Sequence, residues 1–437
     1  MEMTIDFTNI SDQIKKKTYV SNEITYNIYN NYRNNTDETL SLFRSIITND
    51  DNHKILCFAP PSLLEMNNFI EKYPSSLSIP NNDILINELI EGTMINLFYD
   101  ERISSWEIST RSILKANNWY YKMDYNDKSS PSQQKTFRQM FMEHFSINED
   151  MNTIFKSLPK NCCYSFVLQH PDNHIVLNIQ TTKVYLVAIY CINNNNIKFI
   201  SPLEYEYWGC FDEFKNNKIC FPIQFTDQKY SFTNLLKQCS LPSYDTGVIN
   251  NDTRLGINPH IPLTMGFVLT NLNTGERTMV INKTYEELKV LRGNHVNLEY
   301  YYYTLRQNMN QLNKFLYYFP RYNDLFSGFK SKIFHFVKTV QNYYYEFYIK
   351  KNKNQIPKKY FIHVSKLHHE LHIPLKKIIT LNVVKEYFDG FTPKQMYMYI
   401  HYNENHNEHR KNKDKETDTT NLIEFSNEND LICENGV

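Results

Sequence analysis

Residues 164–192, YSFVLQHPDNHIVLNIQTTKVYLVAIYCI, decide the fold. Tyr164–Leu168 and Ile175–Ile179 are short runs of β-branched and aromatic residues, and they read as strands. His170-Pro171-Asp172-Asn173 joins them with turn chemistry. Val184–Ile192 is apolar without a break, the pattern of a strand inside a sheet. Upstream, residues 84–100 (ILINELIEGTMINLFYD) read as two strands turned at Glu91-Gly92, and residues 105–112 alternate like a half-buried strand. Lys54–Ala59 reads as a short buried strand stopped by Pro60-Pro61. Downstream, Phe267–Asn271 and Arg277–Asn282 form a hairpin around Asn273-Thr274-Gly275. Lys283–Arg292 follows as an amphipathic helix stopped by Gly293-Asn294. Residues 134–157 carry helical spacing, and 200–255 have no dominant period.

From about residue 296 the texture changes. Tyr302, Leu305, Met309, Leu312, Phe315 and Leu316 recur at three- and four-residue spacing, and helical pattern continues to 402. Breaks fall at Pro320, Pro357, Pro374 and Gly390. The expected organisation is a helical N-terminal extension (1–50), a sheet-rich domain (51–294), a helical domain (295–402) and a disordered polar tail (403–437). The fold class is α+β with mostly antiparallel sheets.

Composition sets limits. The chain has 437 residues, 41% hydrophobic and 22% charged, which is globular. Forty-seven basic residues balance 47 acidic ones, so attraction to nucleic acid has to be local. Ten glycines disfavour a glycine-rich phosphate loop. Eight scattered cysteines argue against a disulfide framework and for a reducing compartment. The start, MEMTIDFTNISDQIKKK, lacks the apolar core of a signal peptide, and no run approaches membrane-spanning length. A cytoplasmic location with no membrane partner is therefore expected.

Two further clusters stand out. His368-His369-Glu370-Leu371-His372 places two histidines four apart on a helix, yet it fails the H-E-x-x-H order of zinc hydrolases. It reads as a solvated or core-edge group, with no metal site. Residues 330–377 hold eleven lysines against Glu346 and Glu370 alone. Tyrosines interleave with them. Lysines neutralise phosphates and aromatic rings stack on bases, so this stretch, and Lys350, Lys351, Lys353, Lys358 and Lys359 above all, reads as a candidate RNA-binding face. The plain alternative is a lysine-rich solvated surface.

In the sheet region, Glu91-Gly92-Thr93, Trp106–Ser112, Tyr164–Val176 and Gly266–Asn282 occur in the order and approximate spacing of covalent nucleotidyltransferase motifs. Tyr164-Ser165-Phe166-Val167…Pro171-Asp172-Asn173-His174-Ile175-Val176 resembles the F-E-F-V…P-x-N-R-I-V pattern of the phage-type RNA ligase branch. Gly266-Phe267-Val268 resembles E-G-(Y/F)-V. The resemblance covers about residues 50–292 and extends to homologues in large DNA viruses, in keeping with an Asn-, Lys-, Ile- and Tyr-rich composition. It implies a ligase-like nucleotidyltransferase domain, a helical C-terminal domain and, for a virus, the infected host's cytoplasm. It also implies ATP and Mg²⁺ as cofactors of an active member, with a lysine forming lysyl-AMP before RNA ends are sealed.

The charged positions of that pattern are replaced here. Leu89 occupies the nucleophile slot, Ser165 and Met265 the glutamate slots, Met279 and Ile281 the K-x-K slots, and His174 an arginine slot. Glu91, Gly92, Arg111, Asn173, Gly266 and Arg277 remain as nucleotide-binding candidates, with Lys283 just beyond. Lys54, Lys115 and Lys283 are candidates for a displaced nucleophile. The expectation is a degenerate RNA-ligase-like protein that binds RNA ends or a nucleotide and has no catalytic lysine. The alternatives are an active divergent ATP-dependent RNA ligase and a viral structural or interaction protein on the same scaffold. The sequence does not identify viral or host protein partners.

Overall fold

The structure is a computed structural model that describes residues 2–7, 12–21, 23–31, 38–49, 53–74, 76, 83–119, 135–145, 150–173, 175–214, 218–225, 236, 237, 239, 264–293, 295, 297–352 and 355–402. They fall into two units, one ending at Gly293 and one beginning at Asn294.

The first unit is built on three antiparallel sheets. Strand β9 (Cys162–Gln169) is buried along nearly its whole length, as its apolar run requires. It pairs with β10 (Lys183–Asn193) on one side and β7 (Thr93–Asp100) on the other. With β1 (Glu2–Thr4), β8 (Ser105–Ser109) and β11 (Asn196–Ile200) they form a six-stranded sheet ordered β1-β11-β10-β9-β7-β8. One face packs on the helices Phe137–Phe145 and Met151–Ile154 through Ile95, Trp106, Phe141, Phe155 and Phe166. The other face meets a second sheet, ordered β2 (Ile14–Ser21), β3 (Ile24–Asn31), β4 (Ile46–Asn49) and β5 (Ile55–Phe58). Phe98, Cys163 and Tyr190 pack there against Ile28, Ile46 and Phe58. β2 is the outer strand of this sheet. The third sheet joins β6 (Ile84–Glu88), β12 (Gly266–Asn271) and β13 (Arg277–Ile281), backed by the helix Met66–Lys72.

Several expectations are corrected. The described residues of 1–50 are mainly strands, not a helical extension, with Glu38–Leu42 the helix among them. Asparagines at 27, 30 and 31 are buried in β3, which hides the apolar alternation that marks a strand. Ile175–Ile179 is not a strand, because its backbone amides serve Glu91 instead of a ladder. Cys162 and Cys191 face each other across β9 and β10 and form a disulfide, whereas the scattered cysteines pointed to none. The two strands read over 84–100 belong to different sheets.

The second unit is helical: Leu298–Leu305, Met309–Tyr318, Asn323–Tyr344, Lys358–Lys366, Leu381–Asp389 and Pro393–Ile400. Asn297, Asn308, Thr380 and Thr392 cap helix starts with side-chain acceptors. Phe336, His363 and Phe388 meet in its core. Burial pushes His363 down to about 4, so it is neutral there. The expected polar tail, 403–437, lies outside the described residues.

Candidate functional site

Residues 89–92 carry the chain from the three-stranded to the six-stranded sheet. The Leu89 amide donates to the Gly266 carbonyl at 3.0 Å, which fixes the crossing. A narrow, mainly apolar cleft lies beside it. Leu89, Ile90, Val167, Ala188, Val268 and Arg277 line it, together with Glu88. Leu89, in the nucleophile slot, is buried.

Glu91 does not face this cleft chemistry. Its buried carboxylate accepts backbone N–H groups from Ile175 at 2.8 Å, Val176 at 3.1 Å and Leu177 at 3.1 Å. Consecutive amides converging on one carboxylate form a charge-satisfying nest. The nest pins the segment after β9 to the crossing. Asn173 does the same from the turn, donating its Nδ2 to Thr93 Oγ1 at 2.8 Å. At Gly92 a Cβ would lie 2.5 Å from the Leu168 carbonyl oxygen. These survivors of the motif pattern are thus occupied with backbone geometry.

Arg111 reaches away from the crossing, donating Nη2 to the Asn31 carbonyl at 2.7 Å. Ser165, in a glutamate slot, donates to Asn96 Oδ1 at 2.8 Å inside the sheet. The displaced-lysine candidates do not line the cleft. Lys54 pairs with Glu101 at 2.9 Å, Lys115 sits in a turn with φ +65°, and Lys283 is exposed at its helix start. His174 and Lys353 lie outside the described residues.

Arg277 is the survivor that stays in the cleft. Among the described lining residues it is the one cation. It is buried, and its hydrogen bond is a long one of 3.4 Å from Nη2 to the Pro61 carbonyl. Burial pushes its guanidinium down from the ordinary arginine value, with the nearby Tyr190 and Tyr205 phenols opposing that. Tyr190 Oη is buried without a hydrogen-bond partner, and burial pushes this phenol up to about 12. Glu88 is pushed up by burial as well. Arg277 was among the sequence candidates for nucleotide binding, whereas Tyr190 gave no signal because a tyrosine in a buried strand usually means core.

The donor set does not fit a metal-bound triphosphate. One half-buried carboxylate, Glu88, and one guanidinium line the cleft, and the surviving motif carboxylate, Glu91, is saturated by backbone amides.

The basic stretch lies in the helical unit. Lys350 pairs with Glu346 at 2.8 Å and lies 5.3 Å from the Tyr345 ring centroid. Lys351 and Lys358 are exposed, and Lys359 lies 4.9 Å from the Tyr360 ring centroid. His368 is stacked on Tyr348 with ring centroids 3.6 Å apart. No helix among the described residues is long and apolar enough to cross a membrane.

No family model matches the chain. Over 102 residues it is 28% identical to an RNA ligase of Rhodothermus phage RM378, a stretch that makes up 23% of this chain and 22% of that ligase. Among solved structures, Naegleria gruberi RNA ligase with PPi is 12% identical, covering 55% of this chain and 64% of the other at a TM-score of 0.34. A putative ATP-dependent DNA ligase from Aquifex aeolicus is 10% identical, covering 70% and 66% at a TM-score of 0.38. Over those 102 residues this α+β chain is similar to a phage RNA ligase, and it spans less than a quarter of that ligase's length.

Proposed function

We propose that this chain is a degenerate RNA-ligase-like protein that holds a nucleotide or an RNA 5′-phosphate end without forming lysyl-AMP. The observation that carries the reading is Leu89. It is an aliphatic residue in the nucleophile slot, beside a cleft that no described lysine lines. A leucine has no electron pair with which to attack an α-phosphate. Loss of the K-x-K cations at Met279 and Ile281 removes charge that would stabilise the transferring phosphoryl group. Arg277 remains as one anchor for one phosphate. The lysine- and tyrosine-bearing face of the helical unit supplies a second, salt-sensitive contact for single-stranded RNA.

The test is incubation with α-labelled ATP and Mg²⁺ followed by intact-mass measurement. The expected spectrum is that of the unmodified chain. A stable increase of one AMP would overturn the reading and establish the active-ligase alternative, with the modified lysine identified by peptide mapping.

A further inference from the structure

The longest helix of the second unit, Asn323–Tyr344, continues through a wider turn to Ile349. Lys330, Phe334, Lys338, Tyr345 and Ile349 are all exposed and follow one another along one side at mostly four-residue spacing. Two cations, Lys330 and Lys338, flank Phe334, and Tyr345 and Ile349 extend the apolar surface. The neighbouring ion pairs are Lys332 with Glu299 and Lys350 with Glu346. Among the described residues Lys330 and Lys338 have no carboxylate partner. From Phe334 to Ile349 the stripe is about 23 Å long.

Residues 416–437 (ETDTTNLIEFSNENDLICENGV) have the opposite composition. They carry six carboxylates, at 416, 418, 424, 428, 430 and 434, and no lysine or arginine. Leu422, Ile423, Phe425, Leu431 and Ile432 supply apolar side chains between the acids. The point of attachment also fits. His401 Nε2 lies 3.3 Å from Lys332 Nζ, so the described chain runs out beside this same helix. The 13 residues 403–415 span up to about 45 Å when extended, twice the length of the stripe.

We infer that residues 416–434 dock on the Lys330–Ile349 stripe, their carboxylates on its lysines and their apolar residues on Phe334, Tyr345 and Ile349. The acidic segment then stands in for a nucleic-acid strand, and RNA has to displace it. The docking follows from charge, spacing and reach alone, whereas the competition rests on the RNA-binding face proposed above.

The experiment is carbodiimide coupling of the full chain at low salt, followed by peptide mass spectrometry on an equal mixture of unlabelled and ¹⁵N chains. The Lys350–Glu346 pair serves as the internal positive control. The expected products join Glu424, Glu428 or Asp430 to Lys330, Lys338 or Lys350 within one chain, and they disappear at high salt. Control coupling without these links overturns the docking. In parallel, the variant E424K/E428K/D430K is titrated with single-stranded RNA, with a gain of about tenfold in affinity expected. Links together with RNA binding that is not strengthened overturn the competition. Links with no RNA binding by either chain uphold the docking and overturn the RNA-binding face instead.

Discussion

At Gly266 the backbone lies at φ +149°, and a Cβ would stand 2.0 Å from the Val280 carbonyl oxygen. No side chain fits there without separating β12 from β13. We expect Gly266→Ala to lower the unfolding free energy by roughly 1–3 kcal/mol in urea titration, and a neutral result would contradict the packing. This glycine therefore persists for the hairpin, whatever the cleft binds. Arg277 is the opposite case. A buried cation beside phenols costs stability, so a residue kept for folding alone would be apolar. We expect AMP to raise the Tm of the natural chain, and Arg277→Met to be at least as stable in urea and to show no such rise. A retained shift would remove Arg277 from the proposed phosphate seat. The placing of Leu89 in a nucleophile slot rests on motif order alone, and the intact-mass measurement with ATP tests it. The role of Glu91 was not legible in the sequence, because its partners are backbone amides more than eighty residues away, and amides have no side-chain signature.

Among the elements, a half-buried acid ties the helices of the second unit together. Glu299, on Leu298–Leu305, receives Lys332 from the long helix at 3.0 Å and His401, just past Pro393–Ile400, at 3.1 Å. Burial alone would raise its pKa, but hydrogen bonds from His401, Tyr303 and Lys332 outweigh that and hold it at about 2. A depressed carboxyl contributes stability above its unfolded value near 4.5, and the contribution disappears as pH falls toward 2. Acid unfolding of the helical unit should therefore steepen between about pH 4.5 and 2. Glu299→Gln should be less stable at neutral pH by a few kcal/mol and flatter over that window, as followed by circular dichroism at 222 nm. An unchanged acid limb in that variant would show that the cluster does not hold the helices. Elements with a clean period were legible: β9, β10, the β12–β13 hairpin and the helices beyond 296. The strands before residue 50 were not. Their sheet hides asparagines inside and carries lysines outside, so neither face shows the apolar alternation on which a sequence reading depends.

For the whole molecule, zero net charge makes any nucleic-acid affinity depend on where the charges lie. We expect the full chain to retard single-stranded RNA in a gel, with affinity falling steeply as salt rises. Changing Lys350, Lys351, Lys353, Lys358 and Lys359 to Glu should weaken binding more than tenfold and flatten the salt dependence. Unaltered binding would move the RNA contact elsewhere. Charge placement also matters at the opposite end of the sequence. The outer strand β2 carries Lys15, Lys16 and Lys17 in succession, with the first two exposed. As the outer strand of its sheet, β2 would otherwise be a template on which a neighbouring molecule could extend the ladder. Any such neighbour must bring its own strand up against exposed ammonium groups, so the residue type proposed to meet RNA in the helical unit also disfavours fibre-like self-assembly at this edge.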